Sequence, residues 1–421
     1  MKIRAISVSS FFQIISGGSV FIFLVLLILN PYTIYGKPGM MASMFLVLLA
    51  LVSKVYKVGL YENVILFSLM FFISLWGAFF SFVNGIGQLN HPWVVISFFF
   101  TVLSAQALYF LCRRFCIDLN SFLLLILYSL ILNYVVVGLE VNFPAIRDGI
   151  EGFLAPSGNI DWAEGFRYRG LASGGGATLS VVTPVAFVIT LYLYEEKKIG
   201  VVFTLFSLFV ALFATLVIGR TGLILLPLVF ACYVCFYFPS KMFRVSWVLS
   251  FALLVICGFF VVYFGYGFVL DYFSDLFGLG FINYSFGFLL QGAKGIEDEG
   301  TVGIIASFLT VVPKEFPEVF TGYGFYGGSD FSPWTDSGFS RMFLSVGFFW
   351  GAIFYLCVMV FYFKSYSCHK FLVLSIFLVL LVAEAKEPLL FSGNPARIFI
   401  LIVVFIQMDF YFKRVADGGK R

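Results

Sequence analysis

Arginines set among glycines and aromatic residues form the pattern with the clearest chemistry in this sequence. Two lie in the run Arg167-Tyr168-Arg169-Gly170, which leads into glycines at 174–176, and a third lies in the turn Gly219-Arg220-Thr221-Gly222. A guanidinium group binds phosphate or carboxylate through two parallel hydrogen bonds. Glycines ahead of a helix let backbone N–H groups approach an anion. The alternative for the first run is a flexible interfacial loop, but we favour anion binding for both.

Carboxylates and aromatic rings gather in a second region, just before a long apolar run. Asp330 follows a glycine-rich segment that starts at Gly322, and Trp334, Asp336 and Arg341 come soon after it. A carboxylate can accept the proton of an attacking hydroxyl, and aromatic faces over a polar floor are a common way to hold sugars. The alternative is an aromatic belt at a membrane interface.

A third polar region interrupts an apolar stretch near the C-terminus. It begins with Glu384, Lys386 and Glu387 and continues through Pro388 to Arg397. Within a membrane, non-helical backbone must be buried in protein or line a cavity. We therefore expect this break to lie inside the protein or beside a cavity.

The composition defines the elements that must position these residues. Of the 421 residues, 61% are hydrophobic, 11% are charged and 58 are Phe. A soluble domain has roughly 25% charged residues, and a disordered chain is poor in aromatic residues, so both classes are excluded. Continuous apolar runs predict helices rather than the ten-residue alternation of a barrel. The sequence predicts an all-α, polytopic membrane bundle.

Apolar runs predict about twelve transmembrane helices, since about 20 residues cross the hydrocarbon core. Several runs are shorter than that and are expected to tilt or to thin the bilayer. We expect one integral membrane domain over 1–421. The predicted spans are 12–30, 40–53, 63–83, 93–111, 119–139, 177–194, 199–218, 221–238, 245–267, 342–363, 371–384 and 397–412.

Basic residues predict the orientation of these spans. Lys and Arg concentrate at the two termini and at every second connection, which places both termini in the cytoplasm. Two long connections then fall on the opposite, periplasmic face. One is the loop 140–176 with its Arg/Gly motif, and the other is the loop 268–341, with amphipathic pieces such as 268–291 and 302–312.

Arginine is the preferred basic residue on the predicted periplasmic face. All but one of the arginines there lie close to the start or end of a span, where they can meet at the membrane boundary. Such a cluster suits an anionic lipid head group such as a pyrophosphate; the alternative is that each side chain reaches lipid phosphate on its own. The six arginines are Arg147, Arg167, Arg169, Arg220, Arg341 and Arg397.

Other function classes are disfavoured by what the sequence lacks. No ionisable residue falls near the middle of a predicted span, which argues against an ion-coupled transporter. His91, in a short external loop, and His369 offer no metal site. No P-loop or Rossmann fingerprint is present, and the thinly spread basic residues indicate no nucleic-acid partner. We expect no cofactor and no metal.

Taken in order, these motifs make the chain similar to the O-antigen polymerases (Wzy-type) of the O-antigen polymerase and ligase superfamily. The local matches are Arg167-x-Arg169-Gly170-Leu171, Gly219-Arg220-Thr221-Gly222, Gly322-x-Gly324, Asp336-Ser-Gly-Phe-x-Arg341, and Gly347. The resemblance implies a GT-C type glycosyltransferase fold and no metal. It also implies transfer of a growing glycan from undecaprenyl pyrophosphate to a hydroxyl of the next lipid-linked repeat unit, at the periplasmic face of the bacterial inner membrane.

The resemblance also implies roles for individual residues. Asp336 is the first choice of catalytic base, because it stands about where the ligases of the superfamily carry a His; Asp330 and Glu387 are the runners-up. Glycan contacts fall to Tyr168, Trp334, Asp330 and Glu387. The residues expected to bind pyrophosphate are Arg167, Arg169, Arg220, Arg341 and Arg397.

Two other functions remain open. A ligase would transfer the finished glycan to a lipid A core, although the missing His favours a polymerase. A flippase would move lipid-linked oligosaccharide or polysaccharide with its charges in a cavity near one face. The expected partners are the undecaprenyl-pyrophosphate-linked oligosaccharide and membrane lipids. A chain-length regulator protein is a further candidate, on which the sequence is silent.

Overall fold

The computed structural model describes residues 8–54, 56–154, 168–173, 176–241, 307–327 and 335–418. For some helical residues, namely 8–16, 56–62, 177, 220, 238–241 and 416–418, it describes the backbone alone. The predicted span 245–267 and most of the predicted loop 268–341 lie outside these ranges. So do three candidate site residues, Arg167, Asp330 and Trp334.

The described part of the chain is all-helical, as predicted, and holds isolated bridges but no strands. Short turns join most of the helices. The helices are α1 (Val8–Leu29), α2 (Pro38–Val52), α3 (Tyr56–Val83), α4 (Asn90–Arg114), α5 (Leu119–Asn142), α6 (Pro144–Phe153), α7 (Ala177–Ser180), α8 (Val182–Glu195), α9 (Val201–Ile218), α10 (Arg220–Lys241), α11 (Glu318–Thr321), α12 (Gly338–Phe363), α13 (Lys370–Ala383) and α14 (Gly393–Gly418).

Helices stand at each predicted span that falls within the described residues. Among the described residues, six helical stretches are long and apolar enough to cross a membrane, which supports a multi-pass membrane protein. The count of twelve spans and the GT-C type stay predictions. The six stretches are Asn63–Val83, Asn90–Arg114, Leu119–Asn142, Thr178–Glu195, Val201–Ile218 and Gly338–Phe363.

Helices α8 and α14 form the centre of the bundle. Every residue from Val182 to Leu193 is buried, and so are those from Ile398 to Ile406. Outer helices keep apolar side chains on their free surfaces, such as Val202 at 84% and Phe209 at 70% exposure on α9. A helix that is apolar all round is buried in a core or faces lipid, and both cases occur here.

Local sequence signals set several helix starts. Pro38 opens α2 at a position where its missing N–H costs nothing. Asp118 caps α5 by accepting a hydrogen bond from the backbone N–H of Ser121 at 2.9 Å. The hydroxyl of Ser337 plays the same part for α12, accepting from the N–H of Ser340.

Helices α2, α4, α8, α10, α12 and α14 begin at one end of the bundle, which we call the upper end. Hydrogen bonds between connecting segments tie this end together. Leu29 accepts from the N–H of Ser173, and the side chain of Asn84 donates to the carbonyl of Tyr323. The three polar regions identified in the sequence therefore lie at the same end, as far as they are described.

The predicted loop 140–176 contains a helix that its sequence did not predict. Helix α6 follows α5 after one residue, with Pro144 in its first turn. Arg147 of α6 lies over the ring of Tyr168, 5.0 Å from its centroid. The first half of the loop is thus folded onto the chain that leads into α7.

Glycines at 322, 324 and 347 allow two backbone segments to pack closely against each other. Gly347 has φ 81° and interrupts the helical backbone of α12. The extended segment beside it donates from Tyr323 N–H to the carbonyl of Leu344 at 2.7 Å and from Gly324 N–H to that of Ser345 at 3.1 Å. A Cβ on Gly322 would lie 2.6 Å from the backbone nitrogen of Gly347. The backbones approach so closely that only glycine fits.

We expect Gly322→Ala to destabilise the protein by at least about 2 kcal/mol, since the new Cβ meets backbone atoms and the residue has φ +71°. Gly149→Ala is the matched control, because nothing lies within 4 Å of its Cβ position in α6. Thermal unfolding of the detergent-purified variants measures the difference. Equal midpoints for both variants would contradict the close packing.

Candidate functional site

The connection between α13 and α14 is organised around the buried carboxyl group of Glu384. Its Oε2 accepts hydrogen bonds from the backbone N–H groups of Leu389 at 2.7 Å and Leu390 at 2.6 Å, and its Oε1 accepts from the hydroxyl of Tyr355 at 2.7 Å. The Glu384 carbonyl accepts from the N–H of Gly338 at the start of α12. One side chain therefore shapes the loop and joins it to α12.

Gly338 is required by this arrangement. A Cβ at that position would collide with Oε1 of Glu384 and would lie 2.7 Å from the Cα of Pro388. The glycine of the Asp336-Ser-Gly-Phe-x-Arg341 motif thus lets α12 begin directly against the loop.

Burial has an electrostatic consequence for this carboxyl group. It disfavours the charged form and raises the pKa of Glu384 from its ordinary 4.5 to about 7, although the hydrogen bonds from Leu390, Tyr355 and Leu389 act in the other direction. Glu384 is fully buried and already bonded on both oxygens. Its place in the fold is that of a support for the loop.

Lys386 and Glu387 extend from the same loop to two neighbouring helices. Nζ of Lys386 donates to the hydroxyl of Thr221 in α10 at 3.0 Å, and Oε2 of Glu387 accepts from the hydroxyl of Thr178 in α7 at 2.7 Å. Burial, the largest effect, raises the pKa of Glu387, while Thr178 and Lys386 lower it. A carboxyl group with a raised pKa suits proton transfer near neutral pH.

Asp336 and Arg341 form an ion pair beside this loop. Oδ1 of Asp336 accepts from Nη2 of Arg341 at 2.9 Å, and Nε of Arg341 donates to the carbonyl of Thr335 at 2.9 Å. Asp336 is 37% exposed and Arg341 is 22% exposed. Both side chains therefore remain open to a ligand, and Asp336 and Arg341 act electrostatically on Glu387.

Arg169 has a carboxylate partner within the protein. Its Nε donates to Oε1 of Glu151 in α6 at 3.0 Å and its Nη2 to Oε2, a bidentate ion pair in which Arg169 is 4% exposed. The backbone beyond it is also held, since Gly170 N–H donates to Glu140 and Leu171 N–H to Asn133. Pyrophosphate binding by Arg169 would require Glu151 to be displaced.

The tight turn at Gly219 and Gly222 packs against the start of α8. The hydroxyl of Ser180 donates to the carbonyl of Gly219 and accepts from the N–H of Gly222 at 2.7 Å. A Cβ on Gly222 would lie 2.7 Å from the hydroxyl of Thr183. The turn thus fixes the backbone of Arg220, whose side chain lies outside the described atoms, at the upper end.

Arg397 lies in the first turns of α14. It lines two adjoining cavities of about 270 Å³ each, between α14 and α4. The expectation that the polar break faces protein or a cavity is met on both counts: Glu384 is buried and Arg397 lines open space.

The structure thus brings Asp336, Arg341 and Glu387 together, and places Tyr168 and Arg169 in a separate cluster with α6. Sequence reasoning gave no site role to Lys386, whose contact with Thr221 depends on tertiary packing. The expectation that His91 lies in a loop is wrong. It is in the first turn of α4, is buried, and stacks on Tyr326 with ring centroids 4.9 Å apart.

Among the described residues, no group of three or more His, Cys, Asp or Glu side chains is placed to hold a metal ion. The cations at the upper end instead suit an anionic ligand. Comparison of the chain with family models, curated proteins and solved structures finds no match.

The raised pKa of Glu384 predicts a pH dependence of stability. The folded state binds this proton more tightly than the unfolded chain, so the stabilisation is full below the ordinary pKa of 4.5 and is lost as pH rises through about 7. It amounts to about 3 kcal/mol. The melting temperature should fall less between pH 5 and pH 8 in Glu384→Gln than in the wild type. The exposed Glu315→Gln should keep the wild-type slope, and a wild-type slope in Glu384→Gln would refute the assignment.

The bidentate pair of Arg169 and Glu151 predicts coupled variants. Arg169→Lys loses the two-point geometry, so Arg169→Lys and Glu151→Gln should each destabilise the protein, and the double variant should lose little more than either, with a coupling energy of about 1–3 kcal/mol. Thermal unfolding measures the cycle. Additive losses would show that the pair contributes nothing of its own.

Proposed function

We propose that this protein is a glycosyltransferase that polymerises oligosaccharide repeat units carried on undecaprenyl pyrophosphate. It moves the growing glycan from one carrier to the acceptor hydroxyl of the next lipid-linked unit, without a metal ion. The product is an O-antigen or a related surface polysaccharide. The upper end of the bundle is the reacting end and faces the periplasm.

The observation that carries this proposal is the grouping of Asp336, Arg341 and Glu387 at one end of a multi-pass membrane protein. Lys386 lies on the same loop as Glu387, and helices α10 and α12 begin beside that loop. Helix N-termini and cations together favour an anion. A site with cations and a carboxylate open to ligand suits a reaction in which an anionic group leaves and a hydroxyl loses its proton.

The chemistry balances with these groups alone. The acceptor oxygen forms a bond to the anomeric carbon of the donor sugar, and the bond from that carbon to the pyrophosphate oxygen breaks with its electron pair going to the pyrophosphate. The hydroxyl proton passes to a carboxylate. Arg341 and Lys386 stabilise the departing charge, as preorganised donors do where negative charge develops, and no general acid is needed for this leaving group.

Asp336 is the proposed base, because its exposure lets a sugar hydroxyl reach it. Glu387 is the runner-up on account of its raised pKa, and its contact with Thr178 also suits it to positioning the glycan. Because burial raises the pKa of Glu387, a rate that declines at a pH well above the range of an ordinary carboxyl group favours Glu387 as the base.

The proposal includes the twelve-span GT-C type architecture, the bacterial inner membrane and cytoplasmic termini. The candidate spans carry no Asp, Glu, Lys or Arg near their middle within the described residues. Ionisable groups at that depth mark ion and substrate pathways in transporters, so this feature favours the polymerase over a flippase. The absence of a His in 268–341 favours the polymerase over the ligase.

Asp336→Asn should abolish long-chain polysaccharide, since the amide cannot accept the proton. The measurement is a gel of surface polysaccharide from a polymerase-null strain that expresses the variant at wild-type level. Asp148→Asn is the matched control, because Asp148 is an exposed carboxylate on α6 at the same end. Normal long chains from Asp336→Asn would rule out Asp336 as the base.

Deletion of the gene separates the three functions on the same gel. Loss of a polymerase leaves core capped with a single repeat unit. Loss of a ligase leaves bare core with lipid-linked polymer retained, and loss of a flippase leaves no unit on the outer face. Either of the last two results would refute the proposed reaction.

A further inference from the structure

Arg397 lines two cavities that share one wall at the upper end of the bundle. Their common wall also includes Trp93, Ser97 and Thr101 of α4. The first cavity reaches Lys37, just before α2, and the second reaches Ser392 and Gly393 at the start of α14. Each holds about 270 Å³, which exceeds the roughly 150 Å³ that accommodates a benzene molecule.

The electrostatics of this space are one-sided. Lys37 and Arg397 line the first cavity, and no Asp or Glu is among the described residues that line either one. Within the described part of the chain, Arg397 makes no hydrogen bond or ion pair, whereas Arg341 and Arg169 each hold a carboxylate. Arg397 is partly buried, and a partly desolvated cation without a counter-ion is costly, so the cavity is suited to an anion that supplies the missing partner.

The walls of the first cavity suit the anion's attachment to a lipid. Leu27, Ile96, Phe100 and Leu401 line it, together with Met40. Met40 is 51% exposed and Trp93 is 64% exposed, so apolar side chains continue from the cavity to the outer surface of α2 and α4. A head group at Arg397 can therefore keep its chain in the surrounding bilayer.

This space is separate from the Arg341 site. The contacts of Arg341 are Asp336, Thr335 and the nearby Gly327, none of which lines either cavity. Arg341, by contrast, acts electrostatically on Glu384 and Glu387. The upper end thus holds two cation-bearing regions with different walls.

We infer that the Arg397 cavity binds the phosphate groups of a lipid-linked glycan and is the place of the second of two such substrates, while Arg341 and Lys386 bind the first. The assignment rests on the proposed function, in which donor and acceptor each carry a pyrophosphate. Arg397 and Lys37 neutralise the phosphates, the hydroxyl of Ser97 offers a donor, and the polyprenyl chain leaves past Met40 and Trp93.

Native mass spectrometry of the detergent-purified chain with undecaprenyl pyrophosphate tests the inference. The wild type should bind two carriers per chain, and Arg397→Gln should bind one, with the second affinity lowered at least about tenfold, as for the loss of a charge-assisted hydrogen bond. Ser97→Phe should give the same loss by filling the cavity with Arg397 intact. Arg414→Gln is the matched control, since it removes an exposed arginine at the other end of α14.

Competition separates the sources of phosphate. Neither inorganic pyrophosphate nor phosphatidylglycerol at equal concentration should displace the second carrier. Displacement by phosphatidylglycerol would show that the cavity binds bulk lipid. Displacement by pyrophosphate would show that the anion binds without an attached lipid chain. Either result would overturn the inference. A wild type that binds only one carrier would also overturn the inference. The same holds if Arg397→Gln and Ser97→Phe both still bind two carriers as well as the wild type does. These binding results do not depend on Asp336→Asn, which tests the reaction itself.

Discussion

The hydrogen bonds of the buried Glu384 carboxyl group are the interaction on which the upper end depends. Backbone that leaves a helix in a low-dielectric interior exposes N–H groups that water cannot reach, and each unsatisfied group is costly. Glu384 satisfies two of them at once, at Leu389 and Leu390, and its own second oxygen is satisfied by Tyr355. The loop that carries Lys386 and Glu387 can be irregular because of this one side chain.

Close backbone contacts continue this support outward. Gly338 sets α12 against the Glu384 carboxyl group, and Gly347 opens α12 where the segment at Gly322 enters. The glycines in the motifs thus have a mechanical meaning: they fix the first turns of α12, and with them Asp336 and Arg341, relative to the loop. A buried acid and several glycines thus act together to hold the charged side chains of Asp336 and Arg341 in place.

The helices could be predicted from the sequence because lipid imposes a minimum length and an apolar surface on each span. The polar break after α13 was also visible, since Glu384, Lys386 and Glu387 interrupt an apolar run. The pairings were not. The sequence predicts pyrophosphate binding by Arg169, whereas the partner of Arg169 in the structure is Glu151 on α6, and only the folded chain brings the two together. Lys37 carried no local signal either, because its significance comes from the distant Arg397.

The apolar opening beside Met40 and Trp93 determines the route by which a ligand reaches the cavity. A molecule that enters from the side never leaves the bilayer, so it diffuses in two dimensions and its effective concentration is a mole fraction among lipids rather than a molarity in water. On the inferred assignment, even a scarce carrier would be presented to the cavity at high local density, and a weak contact with its head group would be enough to select it.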